Sequence, residues 1–174
     1  IYNIRNNVTC YYNCTIDIDS NIDLIATTLW SEIKVQDAYQ TENCISDFRR
    51  IRSGSEPLDW QRFNDEHCRC VQFLKASVEK STAKHIIVAS HHVPSFKLMS
   101  DEFEGSALNG AFTVELSDYI ASNPIECWIY GHSHRNIDRV IGKTQCISNQ
   151  LGYVFQNEHQ SFDAGRMIVI GDDL

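Results

Sequence analysis

The sequence predicts an α/β fold, in which strands alternate along the chain with helices. Two apolar runs, at residues 84–90 and 127–130, are short, rich in β-branched or aromatic side chains and typical of buried strands. Amphipathic helical patterns lie before and between them, and this alternation favours parallel pairing of the strands. A chain of 174 residues is long enough for a single core, so residues 1–174 are assigned to one domain.

The first elements of the chain are predicted to include a β-hairpin. Residues 8–18 and 22–29 are rich in strand-forming side chains, and residues 19–21 between them have the composition of a turn. Residues 30–50 are weakly helical. The glycine and proline of residues 53–57 indicate a loop.

The strongest helical pattern ends at about Lys80. We expect Asn64 to cap this helix, with Asp65 and Glu66 in its first turn. Its buried face is predicted from helical spacing to be Phe63, His67, Cys70, Val71, Leu74 and Val78. A further helix is expected to end before Asn123-Pro124, and its apolar stripe is Phe112, Leu116, Tyr119 and Ile120.

The remaining segments are predicted to be a loop and further strands. Residues 93–106, after the first buried strand, are acidic and are expected to form a loop. Residues 136–141 and 144–148 flank Gly142-Lys143, which is a two-residue hairpin signal. Residues 167–170 are expected to form the last strand.

Composition and charge limit the classes of function that the chain can have. The formal net charge of -8 disfavours nucleic acid as a partner, because phosphate backbones attract basic surfaces. No apolar run approaches the ~20 residues of a membrane helix, and no signal peptide is recognised. Seven cysteines is an odd number in a chain too large for a disulfide scaffold, which favours free thiols in a cytoplasmic setting. The absence of a Cys-x-x-Cys pair disfavours a structural zinc finger. Cys44, Cys127 and Cys146 are expected to be buried.

Histidines gather at the ends of the two predicted buried strands. His91 and His92 follow the first strand, and Gly131-His132-Ser133-His134 follows the second. If the two strands are parallel neighbours, these imidazoles come together at one edge of the sheet. Neutral imidazole is a common metal ligand. The two motifs together therefore predict a metal site, although His91-His92 alone is more typical of a polar loop.

The order of these motifs resembles that of the calcineurin-like metallophosphoesterases, and most of all their small bacterial and phage members. The specific parts are the His-His and Gly-His-x-His motifs. The weaker supporting segments are Ala26-Thr27-Thr28-Leu29-Trp30, Asp47-Phe48-Arg49, Ser90-His91-His92-Val93-Pro94-Ser95, Leu108-Asn109-Gly110-Ala111-Phe112 and Asn149-Gln150-Leu151-Gly152-Tyr153. The resemblance runs from about residue 15 to residue 153.

This resemblance implies an α/β fold of β-sandwich-like mixed sheets flanked by helices, incomplete in this chain, and hydrolysis of phosphomonoesters or phosphodiesters at two divalent metal ions. His91 and His132 would bind one metal ion and His134 the other. His92 would either face the substrate as a catalytic residue or support the ligands. Asn109 would bind substrate, although a cap for the following helix is an equally good interpretation. The metal ions would be manganese, iron, zinc or nickel, and the substrate a phosphorylated small molecule.

The sequence departs from the family in the first motifs. Asp-x-His, Gly-Asp and Gly-Asn-His, which supply a bridging carboxylate, an asparagine ligand and a histidine for the leaving group, do not occur in that order. Asp65-Glu66-His67 matches the Asp-x-His motif but falls inside a helical pattern. Gly171-Asp172 matches the Gly-Asp motif but is more typical of a solvated terminus. We therefore expect the chain to be the C-terminal portion of a longer metallophosphoesterase.

Three functions remain open on the sequence alone. The chain is one half of a two-metal phosphoesterase, or a metal-binding fragment without turnover, or a mononuclear zinc hydrolase with His91, His132 and His134 as ligands. Arg49, Arg50 and Arg52 could bind phosphate, but a solvated basic run is the more common outcome. In addition, we expect self-association through an apolar edge, at the strand ending at Ser90 or its neighbour, and through an uncovered sheet face.

Overall fold

The computed structural model describes residues 1–171. Its elements are, in order, β1 (Tyr2–Arg5), β2 (Val8–Cys10), β3 (Cys14–Asp19), β4 (Ile22–Thr27), α1 (Val35–Cys44), α2 (Asp47–Arg50), β5 (Arg52–Ser53), β6 (Glu56–Pro57), α3 (Trp60–Lys80), β7 (His85–Ser90), α4 (Ser117–Ser122), β8 (Ile125–Ile129), β9 (Arg139–Ile141) and β10 (Thr144–Ile147). Short 3-10 turns lie between β7 and α4 and after β10. Over the described range, no helix has the length and apolar character needed to cross a membrane.

Six strands form the main sheet, in the order β3-β4-β7-β8-β10-β9. The inner strands β4, β7, β8 and β10 are parallel to one another, and the outer strands pair antiparallel through hairpins. Helices lie between β4 and β7 and between β7 and β8 along the chain, so the predicted α/β alternation is confirmed. The carboxyl ends of the four inner strands therefore lie at one edge of the sheet.

Both hairpins predicted for the main sheet are confirmed. At the turn between β3 and β4, Oδ1 of Asp19 accepts a hydrogen bond from the amide of Asn21 at 2.8 Å, which is typical of Asx turns. The hairpin of β9 and β10 turns at Gly142, whose φ of 63° favours glycine. The predicted strand at residues 8–18 is interrupted, however, because β2 pairs with β1 and only β3 joins the main sheet.

Helix α3 begins earlier than its sequence pattern predicted. Its cap is Asp59, whose Oδ1 accepts a hydrogen bond from the amide of Arg62 at 2.8 Å. Asn64 lies inside the helix, where its side chain instead bonds both the amide and the carbonyl of Ile33, each at 2.9 Å. The buried face agrees with the predicted stripe at Phe63, His67, Cys70, Leu74 and Val78.

The main core lies between one face of the sheet and helices α3 and α4. The register places Ile25, Val88 and Trp128 side by side on that face, and all three are fully buried. Leu74 of α3 and Ile120 of α4 belong to the same cluster. Burial of each such side chain contributes roughly 1.5–3 kcal/mol, so this layer fixes the positions of the parallel strand ends.

A second apolar cluster supports the loop that follows β4. It contains Ile33 from this loop, Phe48 from α2 and Phe63 from α3, with Trp30 packed against it. The cluster therefore holds the segment from Trp30 to Ile33 against two helices.

The predicted mixed sheet flanked by helices is confirmed, and one expectation about its edge is corrected. Within residues 1–171, the sheets other than the main one are two-stranded, β1 with β2 and β5 with β6. The strand that ends at Ser90 is not an edge, because β7 lies between β4 and β8 and each of these has a further partner. One face of the sheet is only half-buried at Leu24, Ile87 and Ile129.

The C-terminal segment differs from its prediction. Residues 167–170 are not assigned to a strand. Side chains hold this segment instead: Arg166 donates to Asp138 and, at 3.0 Å, to the carbonyl oxygen of Ser148, and the amide of Gly171 donates to Glu126. Asp172, which the sequence analysis considered with Gly171, lies outside the described residues.

The cysteines and the last helix differ in part as well. Cys127 and Cys146 are buried as expected, but Cys44, the final residue of α1, is exposed. Helix α4 begins only at Ser117, so Phe112 of the predicted stripe lies outside it, after a 3-10 turn.

Candidate functional site

The candidate site lies at the carboxyl edge of the four inner strands. Loops leave this edge after β4, β7, β8 and β10, and open α/β sheets bind ligands at such an edge. The loops contain residues with positive φ angles at Leu29 (67°), Trp30 (50°), His132 (69°) and His134 (53°). Each such residue costs about 1–3 kcal/mol, and strain of this kind concentrates at functional sites.

The two histidine motifs meet at this edge. The ring centroid of His132 is 4.6 Å from that of His91 and 4.3 Å from that of His92. The backbone joins the motifs as well, since the amide of Gly131 donates to the carbonyl oxygen of His91 at 3.1 Å. His91 is exposed and His132 is partly buried beside it. A small ligand from solvent can therefore reach this histidine pair.

Two neighbours fix the orientation of His132. Phe112 stacks on its ring, with 4.7 Å between centroids and an interplanar angle of 27°. Its Nε2 lies 3.3 Å from the carbonyl oxygen of Ala111. When Nε2 donates its proton to this carbonyl, the lone pair of Nδ1 is left for another partner.

A carboxylate orients His134. Its Nδ1 lies 2.9 Å from Oε2 of Glu158, which also accepts a hydrogen bond from the amide of Tyr153 at 2.6 Å. The amide of His134 donates to Oε1 of Gln150 at 2.8 Å. Metal-binding histidines commonly donate one ring nitrogen to a carboxylate, which leaves the other nitrogen, here Nε2, as the ligand.

His92 is buried beneath the other imidazoles. It is 2% exposed, and its Nδ1 lies 2.9 Å from the hydroxyl oxygen of Ser31. The ring centroids of Trp30 and Phe63 lie 5.6 and 5.8 Å from the ring centroid of His92. Of the two roles expected for His92, this position favours support of the neighbouring imidazoles over contact with a substrate.

Desolvation favours the neutral imidazoles of His92 and His132. Desolvation lowers the pKa of His92 well below its ordinary value and lowers the pKa of His132 to about 4, and repulsion between the histidines acts in the same direction. Partial desolvation of its ring also lowers the pKa of His91, which the carboxylate of Asp47 partly opposes. Neutral imidazole is the form that binds metal ions, so the charge state suits the predicted chemistry.

As a metal site, the described residues form only a partial set of donors. Nowhere in residues 1–171 do three His, Cys, Asp or Glu side chains converge as a single metal ion requires. The rings of His91 and His132 form a close pair, and His134, which Glu158 orients, does not join them in such a group. Because a catalytic zinc ion uses three protein ligands, the three histidines in this arrangement do not complete a mononuclear site.

Asn109 lies in the loop after β7, near Phe112. Its Nδ2 donates to the carbonyl oxygen of Phe103 at 2.8 Å, so its amide holds this loop together. It begins a 3-10 turn and does not cap α4. At the next position, a Cβ on Gly110 would lie 2.6 Å from the carbonyl oxygen of Glu32, so the loops after β4 and β7 are in direct contact.

Two other sequence candidates serve the fold. The guanidinium of Arg49 donates to the carbonyl oxygen of Asn43 at 2.8 Å on the surface, as expected of a solvated basic run. His67, from the Asp-x-His spelling, lies on the buried face of α3. Its Nδ1 is 3.1 Å from the carbonyl oxygen of Leu29, so it supports the strained loop after β4.

Sequence reasoning did not single out three residues that position the histidines. Ser31 directly follows the Ala26-to-Trp30 segment, and Gln150 lies in the Asn149-to-Tyr153 segment, so both were next to or within recognised patterns. Glu158 has no local signal, because its contact with His134 spans 24 residues of chain.

The fold and site define an α/β protein with a histidine cluster at the carboxyl edge of its parallel strands. No family model matches the sequence. The chain is similar to the uncharacterized protein L509 of Acanthamoeba polyphaga mimivirus, with 28% identity over 174 aligned residues. The match covers 90% of this chain and 58% of that protein, so the chain spans less than two thirds of the length of this relative.

Proposed function

We propose that the chain is part of a metal-dependent phosphoesterase of the calcineurin-like type, with the calcineurin-like fold completed outside the printed sequence. The observation that carries this proposal is the close pair of His91 and His132, whose ring centroids are 4.6 Å apart at the carboxyl edge of the sheet. His91 and His132 are assigned to one metal ion and His134 to another, in the order of the family motifs.

Divalent metal ions at such a site would activate a water molecule and polarise the phosphoryl group of a phosphomonoester or phosphodiester. The chain's own residues prepare the ligands. Burial keeps His132 neutral, and the hydrogen bond from His134 to Glu158 directs Nε2 away from the carboxylate. His92 is assigned a positioning role beneath them, because its Nδ1 is bonded to the buried hydroxyl of Ser31.

The remaining ligands are proposed to come from sequence beyond the chain. The printed sequence lacks the ordered Asp-x-His, Gly-Asp and Gly-Asn-His motifs that supply them in the family. The encoding gene should contain these motifs in frame before Ile1. Their absence there would contradict the two-metal assignment.

A second candidate is a module that binds a metal ion without turnover. The observation in its favour is the partial donor set: two imidazoles pair closely, and within residues 1–171 no third His, Cys, Asp or Glu side chain completes a group with them. The two candidates predict the same metal binding by the chain but different activity.

Metal binding tests both candidates. Calorimetric titration with Zn²⁺ or Mn²⁺ should detect binding that is lost when His132 and His134 are both changed to Ala. His85→Ala is the matched control, because His85 lies at the other end of β7 and pairs with Glu126. Unchanged affinity in the double variant would contradict the site assignment.

Hydrolysis of bis(4-nitrophenyl) phosphate separates the candidates. We expect the isolated chain with added metal to be nearly inactive. We expect the full gene product to be active and to be inhibited by chelators. Chelator-sensitive turnover by the printed chain alone would favour a complete mononuclear site. An inactive full product that still binds metal would favour the binding module.

A further inference from the structure

An apolar pocket lies directly beside the histidine cluster. Met99, Phe103 and Leu108 form its walls on the loop after β7, and Phe112 and Ser133 form the walls toward the cluster. Its volume is about 180 Å³. We call it the ring pocket.

The polar groups around the ring pocket are bonded within the chain. The side-chain amide of Asn109 donates to the carbonyl oxygen of Phe103, and the hydroxyl of Ser106 accepts from the backbone amide of Leu108 at 3.3 Å. The hydroxyl of Ser133 accepts from the side-chain amide of Gln150 at 3.2 Å. The pocket therefore presents an almost wholly apolar surface to a ligand.

The two aromatic walls are held in place. Phe112 stacks on His132, so one ring contacts the pocket on one side and the histidine cluster on the other. The guanidinium of Arg135 lies 5.6 Å from the ring centroid of Phe103 and is itself paired with Glu102. The pocket is thus bounded by aromatic rings with fixed orientations.

The size of the ring pocket suits one aromatic group. An apolar cavity of about 150 Å³ is sufficient to bind benzene. Flat aromatic ligands also gain from stacked or edge-to-face contacts with Phe side chains. Its position beside His132 and Ser133 places such a ring next to the edge where the phosphoryl group would bind.

We propose that the ring pocket binds the aromatic group of a phosphate ester whose phosphoryl group lies against His132 and His134. The substrate class is therefore an ester with a single flat ring system, either an aryl phosphate or a nucleotide. The phosphoryl half of this proposal rests on the proposed function. The ring half rests on the pocket alone.

Binding of non-hydrolysable probes tests the proposal. Phenylphosphonate and ethylphosphonate carry the same anionic group and differ in the aromatic ring. With Zn²⁺ present, the full gene product should bind phenylphosphonate at least about tenfold more tightly, which corresponds to about 1.4 kcal/mol. Saturation-transfer NMR should show contacts from the protein to the phenyl protons. Equal affinity for the two phosphonates would overturn the proposal.

Two variants change the pocket in opposite directions. Ser106 is exposed at the pocket, so Ser106→Trp should fill it and remove the preference for phenylphosphonate without disturbing the core. Leu108→Ala should widen it and favour 1-naphthylphosphonate over phenylphosphonate. Val140→Trp, on the exposed outer strand β9, is the matched control and should leave the preference intact. A preference for phenylphosphonate over ethylphosphonate that survives Ser106→Trp would also overturn the proposal.

Further probes identify the source of the ring and separate this proposal from the proposed function. Adenosine 5′-monophosphate should bind more tightly than ribose 5-phosphate if the ring is a nucleobase, whereas equal binding of these two with retained phenyl preference identifies an aryl ester. If phenol binds in the pocket but neither phosphonate binds, the phosphoryl site is contradicted and the binding of an aromatic ring in the pocket is supported. Binding of both phosphonates with equal affinity would support the phosphoryl site and contradict binding of an aromatic ring in the pocket.

Discussion

The Nδ1 atom of His134 lies 2.9 Å from the Oε2 atom of Glu158, and this contact joins the histidine cluster to the segment after β10. Glu158 receives a second hydrogen bond from the amide of Tyr153, which is the first cause of its lowered pKa. The carboxylate therefore stays ionised and available to His134 near neutral pH.

Removal of this carboxylate should weaken metal binding. Glu158→Ala leaves the imidazole of His134 without its orienting partner, and loss of such partners typically costs about 10–100-fold in metal affinity. Calorimetric titration with Zn²⁺ measures the change. Glu104→Ala, at an exposed position in the loop after β7, is the control. Equal affinity in the Glu158 and Glu104 variants would show that Glu158 does not orient a ligand.

Gly152 should be needed for the same contact. A Cβ there would lie 2.6 Å from Cβ and 2.9 Å from Oε2 of Glu158, so Gly152→Ala should displace the carboxylate and reduce metal affinity as Glu158→Ala does. Gly54→Ala is a closely matched control. Gly54 has a φ of 67°, close to the 62° of Gly152, and a Cβ at Gly54 would have no atom within 4 Å. Both variants should lose about 1 kcal/mol of stability from the strained backbone. A loss of metal affinity in both would attribute the effect to strain alone.

The hydroxyl of Ser31 should contribute to stability through His92. Ser31→Ala leaves Nδ1 of the buried imidazole without its observed partner, and an unsatisfied buried polar group costs about 1–3 kcal/mol. Urea unfolding of the metal-free chain measures the difference in free energy. Ser20→Ala, in the exposed hairpin turn, should change the free energy of unfolding by much less. A difference within about 0.5 kcal/mol between the two variants would contradict this role.

The metal-free chain should lose stability as the pH falls below about 6.5. The pKa of His132 is about 4 in the folded chain against 6.5 for an ordinary histidine, so the unfolded chain binds a proton that the folded chain does not. Stability therefore falls as the pH decreases between these values, by on the order of 3 kcal/mol in total for His132. Unfolding curves between about pH 7 and pH 5 avoid most carboxylate titration. His132→Gln should reduce this slope and leave the part that His91 and His92 contribute, since their pKa values are also lowered. An unchanged slope would contradict the assignment.

Self-association remains a prediction, now placed on a sheet face and not on a strand edge. The register puts Leu24, Ile87 and Ile129 on one face, and each is only half-buried. Apolar patches of more than a few hundred Å² are uncommon on monomers. Light scattering of the isolated chain at micromolar concentration should show a dimer or a larger species. Ile87→Lys should favour the monomer, whereas Val35→Lys on exposed α1 should not. A monomeric unaltered chain would contradict this prediction.

The sequence alone determined the elements that depend on local periodicity and turn chemistry. The apolar runs before His91 and before His132 are strands, the stripe from Phe63 to Val78 is buried, and two hairpins turn where predicted. These features were predictable because each follows from side chains within one turn or one strand. The meeting of the two histidine motifs followed from parallel pairing, since parallel neighbours end at the same edge.

The tertiary structure decided what depends on contacts distant in sequence. Asn64 resembled a helix cap by composition, but its side chain binds Ile33, and Asp59 caps the helix. Glu158 reaches His134 only because the segment after β10 folds back over the loop after β8, and no spacing rule encodes such a return. The central position of β7 likewise required the pairing order of all six strands, because apolar content shows that a strand is buried but does not show which strands lie beside it.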